Sequence, residues 1–259
     1  METGQKATIG VLALQGAFQD HIKSFQRLGY GPSLRLAQAN LDEVDALVIP
    51  GGESTAMRII AGEEMMSALK AFVHEKRKPV WGTCAGCILL SDSVCRLEPE
   101  EASGATKLVE KQSNDGYGDF IGGVGVKTCR NFFGRQADSF EAPLRAEGRL
   151  QRVAPDMTAV CIRAPAILEV LSPETEVLAF VDLPDRDVTV TAAVAQGPLL
   201  LTIFHPELTA DTRLHRFFVS EFVLPSLAAA EAAALQAIKR ESLPNAAVAR
   251  EAPQEPRAR

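Results

Sequence analysis

The stretch that decides the fold is Lys78-Pro-Val-Trp-Gly-Thr-Cys-Ala-Gly-Cys-Ile-Leu-Leu90, in which a short apolar run ends at a thiol and a second apolar run follows. This order predicts a strand, a sharp turn and the start of a helix. Gly82, Cys84 and Gly86 have the spacing of a nucleophile elbow, with a glycine two residues before and two after the nucleophile. The turn strains the backbone and leaves no room for side chains beside it, so glycine is needed at both places. A helix N-terminus also favours the thiolate, and Cys84 is therefore the predicted nucleophile.

Three apolar runs precede the elbow, at residues 7–14, 33–37 and 46–50, with apolar residues at helical spacing between them. Near-continuous apolar runs are typical of strands buried on both faces of a parallel sheet. Strand and helix in alternation predict an α/β fold with a mostly parallel sheet and helices on both faces. The length of 259 residues suits a single domain.

Composition narrows the class of protein. The apolar fraction of 46% and charged fraction of 23% are those of a soluble globular protein. A net charge of −6 does not suggest nucleic acid or an anionic membrane as a partner, and no run approaches the roughly 18 apolar residues of a membrane span. Five cysteines, an odd number, suit a reducing compartment, and the first residues lack the apolar core of a secretory signal. We therefore expect a cytoplasmic protein.

Two segments differ from the rest of the chain. Residues 98–119 are polar and rich in turn residues, which predicts a surface insertion. Residues 226–259 begin as an alanine-rich segment typical of helix and end with almost nothing to bury, which predicts a helical extension and a disordered tail. The catalytic domain is therefore expected to span residues 1–225.

A nucleophilic cysteine needs a base, and the base needs a group that orients it. Of the four histidines, His205 alone follows the end of a strongly apolar strand, where open α/β sheets form their sites. Glu207 lies two residues further on, so both side chains can point the same way. His21, His74 and His215 lie in helical patterns and are interpreted as surface or packing residues.

The segment Pro50-Gly-Gly-Glu-Ser-Thr55 follows the third buried strand. Its two glycines, Gly51 and Gly52, expose backbone N–H groups and allow close approach of a ligand. The loop can therefore donate to an oxyanion, with the N–H of Ala85 as the second donor. On its own, the same pattern also fits a simple turn from strand to helix.

Several short motifs then occur in a fixed order: Val11-Leu-Ala-Leu-Gln-Gly-Ala17, Pro50-Gly-Gly-Glu-Ser-Thr55, Gly82-Thr-Cys-Ala-Gly86, Phe133-Gly-Arg-Gln136, Phe140-Glu141, Ile162-Arg-Ala-Pro165 and Phe204-His-Pro-Glu-Leu208. Together they resemble the glutaminase subunit of the two-component pyridoxal 5′-phosphate synthase, a class I glutamine amidotransferase with a flavodoxin-like fold. The resemblance covers roughly residues 7–225.

The resemblance implies hydrolysis of L-glutamine to L-glutamate and ammonia by Cys84, His205 and Glu207. It implies that glutamine is bound by Gly52, Glu53, Ser54, Arg135, Ile162 and Arg163. It also implies a partner, a (β/α)8-barrel synthase subunit that takes up the ammonia to build pyridoxal 5′-phosphate. Neither a cofactor nor a metal is expected in this chain, since pyridoxal phosphate is the partner's product.

Two other functions remain open from the sequence. Cys84 and Cys87 form a C-x-x-C pair, which is also typical of thiol–disulfide oxidoreductases, with Cys87 as the resolving thiol. Alternatively, the chain is a non-catalytic partner of the synthase that has kept only the fold. The other three cysteines lie in apolar contexts and are interpreted as inert core thiols: Cys95, Cys129 and Cys161.

Overall fold

The computed structural model describes residues 7–31, 34–36, 41–99, 106–110, 120–133, 139–183 and 188–241. The strands in these ranges are β1 (Ile9–Leu12), β2 (Leu34–Leu36), β3 (Ala46–Ile49), β4 (Val80–Thr83), β5 (Ser91–Pro99), β6 (Thr106–Glu110), β7 (Val124–Arg130), β8 (Phe140–Ala146), β9 (Thr158–Cys161), β10 (Ala166–Val170), β11 (Glu176–Leu183), β12 (Val188–Gln196) and β13 (Leu199–Thr202). The helices are α1 (Phe18–Arg27), α2 (Ser54–Lys70), α3 (Ala85–Leu90), α4 (Gly148–Val153), α5 (Arg213–Phe218) and α6 (Leu224–Glu241). Two π-helical segments, Ala71–Glu75 and Val219–Val223, extend α2 and join α5 to α6.

The strands form one sheet with the order β2-β1-β3-β4-β13-β12-β10-β7-β5-β6, and β11, β8 and β9 continue from β12. Strands β2, β1, β3, β4 and β13 pair in parallel, and so do β5 and β7. The other pairs are antiparallel. The α/β class is confirmed, but parallel pairing dominates only the half of the sheet that carries the elbow. Consecutive strands pair directly at β11–β12 and β12–β13, because antiparallel neighbours need no crossover helix.

The strands around the elbow are buried along their whole length. Every residue of β1, β3, β4 and β13 is buried, which is why each of these strands is nearly all apolar in sequence. Helices α1 and α5 contact each other, and α2 contacts α3, which lies against β3, β4 and β13. The site residues that follow these strands are therefore held by a packed core.

One predicted region agrees with the structure in detail and one differs from it. The apolar spacing predicts a helix after Ser54 and a further helix over about residues 63–76. In the structure these two helical stretches meet within α2 at Gly62, whose φ of 66° and ψ of 177° are not helical, and the second stretch continues through Ala71–Glu75. The expected surface insertion at 98–119 contains strand β6, which pairs antiparallel with β5 at the edge of the sheet. The rest of that insertion lies outside the described residues, apart from residues 98–99 of β5.

The alanine-rich extension forms α6, as expected, up to Glu241, and the expected tail lies outside the described residues. By length and composition, the continuous helix Arg213–Lys239 could cross a membrane, with a mean hydropathy of 1.4. A helix with its apolar side in a protein core passes the same test; here 22% of the apolar window is buried, and Leu214, Phe217 and Phe218 are among the buried residues of the helix. The expected absence of a membrane partner stays a prediction. The domain boundary at residue 225 stays a prediction.

Candidate active site

Three adjacent parallel strands end at the same edge of the sheet, and each leads directly into a predicted site segment. Strand β4 lies between β3 and β13, with Gly82 opposite both Ile49 and Leu201. The Gly51-Gly52 loop follows β3, Cys84 follows β4, and His205 follows β13. The carboxyl end of a parallel sheet is where such folds form their sites, and the predicted loop, thiol and imidazole meet there.

The elbow has the strained geometry that its glycines predict. Cys84 has φ 49° and ψ −102° and immediately precedes α3, and its N–H donates to Thr202 O at 2.8 Å. A Cβ on Gly82 would lie 2.5 Å from Gly86 O, and one on Gly86 would lie 2.0 Å from Ile49 O. Side chains at either position would therefore collide with backbone. The side chain of Cys84 is held at the mouth of the turn, and the residue is 5% exposed.

His205 connects the thiol to the carboxylate. Its Nδ1 lies 2.8 Å from Glu207 Oε1, and its backbone N–H donates to Val160 O at 2.8 Å, which fixes the residue against β9. Burial alone would lower the pKa of His205. Hydrogen bonds to Cys84 and Glu207, together with their charges, outweigh burial and raise it to about 10. The imidazole is therefore protonated at neutral pH and can supply a proton to a leaving group.

Glu207 is almost completely enclosed, at 3% exposure. Burial would raise its pKa, but the neighbouring His21 and His205 lower it, so the carboxylate stays charged. His21 Nε2 lies 3.3 Å from Glu207 Oε2. The sequence predicts that His21 and His215 are surface or packing residues, and both are buried in the structure. The sequence did not predict the contact of His21 with the Glu207 carboxylate.

The Gly51-Gly52 loop lies against the thiol and the imidazole. A Cβ on Gly51 would be 2.3 Å from His205 Cε1 and 3.2 Å from Cys84 Cβ, so only glycine allows this approach. The loop is also fixed from behind, because the Glu53 N–H donates to Gln15 Oε1 at 2.9 Å. The Glu53 side chain accepts hydrogen bonds from Thr55 N and Ala56 N and so caps α2.

A cleft of about 260 Å³ opens at this edge and is lined by the three segments. This is slightly below the range of about 300–1,000 Å³ typical of small-molecule sites, a size suited to one amino acid. Of the predicted glutamine-binding residues, the structure brings together Gly52, Glu53, Ser54, Ile162 and Arg163. Arg135 lies outside the described residues. Ala85, the predicted second oxyanion donor, is fully buried at the first position of α3.

Four further side chains in the cleft were not identified from the sequence: Gln15, Ile88, Arg130 and Asn131. Arg130, at the end of β7, pairs with Glu53, and Gln15 holds the loop. Gln15 belongs to the quoted motif at residues 11–17, which was the available signal. Arg130 stands next to another quoted motif but had no distinguishing pattern of its own.

Cys87 does not have the environment of a resolving thiol. It is fully buried in α3, and burial together with the nearby Cys84 raises its pKa to about 12. A thiol of this kind is protonated and shielded at neutral pH, which makes it a poor nucleophile. All five cysteines are free and buried, as expected for inert thiols at positions 95, 129 and 161.

Known proteins resemble this chain over most of its length. A family model described as the SNO glutamine amidotransferase family matches residues 11–224. The pyridoxal 5′-phosphate synthase subunit PDX2 of Plasmodium falciparum is 42% identical over 218 residues, covering 82% of this chain and 94% of the relative. The subunit PdxT of Frankia casuarinae is 41% identical over 212 residues, covering 82% of this chain and 92% of that subunit.

The fold has a counterpart among solved structures as well. A crystal structure of a glutamine amidotransferase superposes with a TM-score of 0.63 and 34% identity, covering 82% of this chain and 97% of the other. The fold and the family match therefore agree with the motifs that lie around the cleft. The chain belongs to the SNO glutamine amidotransferase family.

Proposed function

We propose that the chain hydrolyses L-glutamine to L-glutamate and ammonia in the cleft beside Cys84, and that it delivers the ammonia to a pyridoxal 5′-phosphate synthase subunit. The observation that carries the proposal is that Cys84 and His205 follow adjacent parallel strands and both lie against Gly51, with His205 Nδ1 2.8 Å from Glu207 Oε1. Acyl transfer through a thiol requires a nucleophile, a base beside it and a carboxylate that orients the base.

The reaction begins with attack of the Cys84 thiolate on the carboxamide carbon of glutamine. The negative charge moves to the carboxamide oxygen, where backbone N–H groups of the loop Gly51-Gly52 and of Ala85 stabilise it. The support for this role is the position of the loop, which lies directly against Cys84 and His205. Such donors act on charge that develops in the transition state, and loss of one typically costs on the order of 100- to 1000-fold in rate.

The intermediate then collapses with release of ammonia. His205 gives its proton to the leaving nitrogen, a role consistent with its raised pKa of about 10. The product is a thioester on Cys84. His205, now neutral, removes a proton from water, which attacks the thioester carbon, and glutamate leaves as Cys84 and the imidazolium are restored. Glu207 fixes the imidazole through Nδ1 during both steps.

Glutamine is bound by Gly52, Glu53, Ser54, Ile162 and Arg163, with Arg135 completing the set. Ser54 supports this role most directly, because its buried Oγ lines the cleft and has no hydrogen-bond partner within the described residues. Arginine suits the substrate carboxylate, because its guanidinium can donate two parallel hydrogen bonds. Arg163 lines the cleft with a left-handed φ of 48°.

The partner is a (β/α)8-barrel synthase subunit, and neither nucleic acid nor a membrane takes part. The support is that the relatives from Plasmodium and Frankia are named as subunits of a pyridoxal 5′-phosphate synthase. Residues 1–225 form the glutaminase domain and residues 226–259 are an extension, since the family match ends at residue 224. Five free cysteines agree with the reducing cytoplasm, where we place the protein.

The test is glutamate release from glutamine by the purified full chain, alone and mixed with a barrel-type synthase subunit. The orientation of the Gly51-Gly52 peptide determines whether its N–H groups can stabilise the oxyanion. We expect binding of the synthase to set this orientation, so glutamate release should be weak for the chain alone and strong with the partner. Cys84→Ala should abolish release in both conditions. Equal turnover with and without the synthase would exclude gating by the partner. No release in either condition would favour a non-catalytic partner over an enzyme.

A further inference from the structure

A buried pair of histidines lies behind the triad carboxylate. His21 on α1 and His215 on α5 are both fully buried, and their rings lie 5.2 Å apart. Trp81 of the elbow strand packs edge-on against both rings. Burying an imidazole without hydrogen-bond partners is costly, so the polar contacts of the pair need an explanation.

The Glu207 carboxylate has two oxygens, and His205 contacts only one of them. Oε1 lies 2.8 Å from His205 Nδ1. Oε2 has no hydrogen bond of good geometry within the described residues, and the basic group beside it is His21 Nε2 at 3.3 Å. A carboxylate in a closed site keeps its charge when neighbouring charges and hydrogen bonds outweigh the cost of burial. His21 is placed to stabilise the second oxygen.

The polar contacts of His21 determine which of its nitrogens carries the proton. Burial lowers the pKa of His21 and lowers that of His215 further, so both rings are neutral and each has one N–H. His21 Nε2 faces Glu207 Oε2 and, at 3.4 Å, Thr83 Oγ1, while its Nδ1 lies 3.0 Å from His215 Nε2. The proton therefore belongs on His21 Nε2, and His215 Nε2 donates to His21 Nδ1.

We propose that His21 is a positioning residue of the triad, which directs its Nε2–H at Glu207 Oε2 and so keeps the carboxylate charged and aligned with His205. His215 fixes the tautomer of His21 from the other side. The proposal rests on the proposed glutaminase function for its meaning, but it concerns the charge state of a carboxylate that can be measured without glutamine. His21 does not touch substrate and is not a catalytic residue.

Several charged or titratable groups face this carboxylate or the histidines beside it. Three of these groups are on α1, one is at the elbow, one follows β13 and one is on α5; in that order they are Asp20, His21, Arg27, Cys84, His205 and His215. Of these, His21 and His205 lower the pKa of Glu207. Loss of the His21 donor raises the pKa of Glu207, so the carboxylate takes up a proton at a higher pH. The acid limb of any activity that needs the carboxylate must then move upward.

The test compares His21→Phe, which keeps a ring beside Trp81 but removes the donor, with His21→Gln, which can place an amide N–H near the same position. Ser24→Ala is the control, because Ser24 is a buried polar residue on the same helix whose hydroxyl bonds Asp20 O and Arg27 and does not touch the triad. Two pH profiles are recorded on the full chain with its synthase partner. One is kcat for glutamate release, and the other is the rate of Cys84 alkylation by iodoacetamide, followed by mass spectrometry.

We expect His21→Phe to lower kcat at least tenfold near neutral pH and to move the acid limb of both profiles upward by about one pH unit, the order of shift that one close basic neighbour gives a buried carboxylate. In His21→Gln the acid limb should lie close to its wild-type pH, and in Ser24→Ala its pH should be unchanged. If His21→Phe does not fold, His21→Leu, which also lacks a donor, makes the same comparison.

The proposal would be overturned if the acid limb of the pH profiles lay at the same pH in the wild type and in the folded variant that lacks the donor. An equal shift in Ser24→Ala would do the same, since it would show a general effect of loosening α1. A wild-type chain that releases no glutamate would refute the proposed function, while the alkylation profile would still decide the role of His21.

Discussion

The close approach of Gly51 to the side chain of His205 yields a quantitative prediction for Gly51→Ala. The new methyl carbon would lie 2.3 Å from His205 Cε1, whereas ordinary contact begins at 3.4 Å, so the two groups must separate by 1.1 Å, the difference between these values. The imidazole cannot turn away freely, because Glu207 holds Nδ1 at 2.8 Å and the residue is 9% exposed. Either the ring or the loop must move.

Such a displacement has a large effect on rate and a small one on stability. A misplacement of about 1 Å costs on the order of 100-fold in a reaction that depends on alignment. Overpacking costs about 1–3 kcal/mol, and replacing glycine by alanine recovers about 0.4–1 kcal/mol through the unfolded state. We therefore expect kcat to fall about 100-fold while the folded state persists with a somewhat lower Tm.

The assay is glutamate release with saturating synthase partner, together with a thermal melt of each variant. Gly31→Ala is the matched control, because a Cβ there meets nothing within 4 Å and the backbone φ is not left-handed. It should leave both turnover and Tm close to wild type. Turnover of Gly51→Ala within threefold of wild type would refute the argument that this contact aligns the imidazole.

Three further predictions follow from the same geometry. Cys84→Ala abolishes glutamate release while Cys87→Ala stays close to wild type; a Cys87→Ala variant as inactive as Cys84→Ala would revive the redox function. Ser54→Ala raises KM for glutamine with little change in Tm, since its Oγ has no hydrogen-bond partner to lose within the described residues; an unchanged KM would remove Ser54 from the binding set. The raised pKa of His205 makes its stabilisation complete below pH 6.5 and lost as pH rises through about 10. Urea unfolding from pH 6 to 10 should therefore show falling stability, with a smaller fall in Cys84→Ala, which lacks one contact that raises this pKa; equal slopes would contradict this cause.

The sequence alone was sufficient for the parallel half of the fold. Strands β1, β3, β4 and β13 are buried on both faces, so their apolar runs are unmistakable. The strands of the antiparallel half were harder to predict from the sequence. Strand β8 contains Pro143, a residue that argues against a strand, and its buried residues only alternate with exposed ones. Strand β6 lies in a polar segment, at the edge of the sheet, where no apolar run is needed.

The site was predictable where its members are close in sequence. Gly82, Cys84 and Gly86 form one turn, and His205 and Glu207 are two residues apart, so local spacing revealed both groups. His21 had no such signal, because its contact with Glu207 exists only when α1 packs beside the segment after β13. Its partner His215 is 194 residues away in the chain. A histidine on the apolar side of a helix looks like packing until the carboxylate beside it is known.

The same pairing that builds the sheet also determines the distances in the site. Residues on β4 and β13 are matched so that Thr83 lies opposite Thr202, and Cys84 N–H and Trp81 Nε1–H both bond Thr202. A slip of one residue would move His205 by about 3.3 Å along the strand and turn the side chains to the opposite face. The thiol would then lose its base although every residue of the triad was still present. The register of two buried strands is therefore as much a requirement for the proposed hydrolysis as the nucleophile itself, and this is why Thr202, which touches no substrate, belongs to the working geometry.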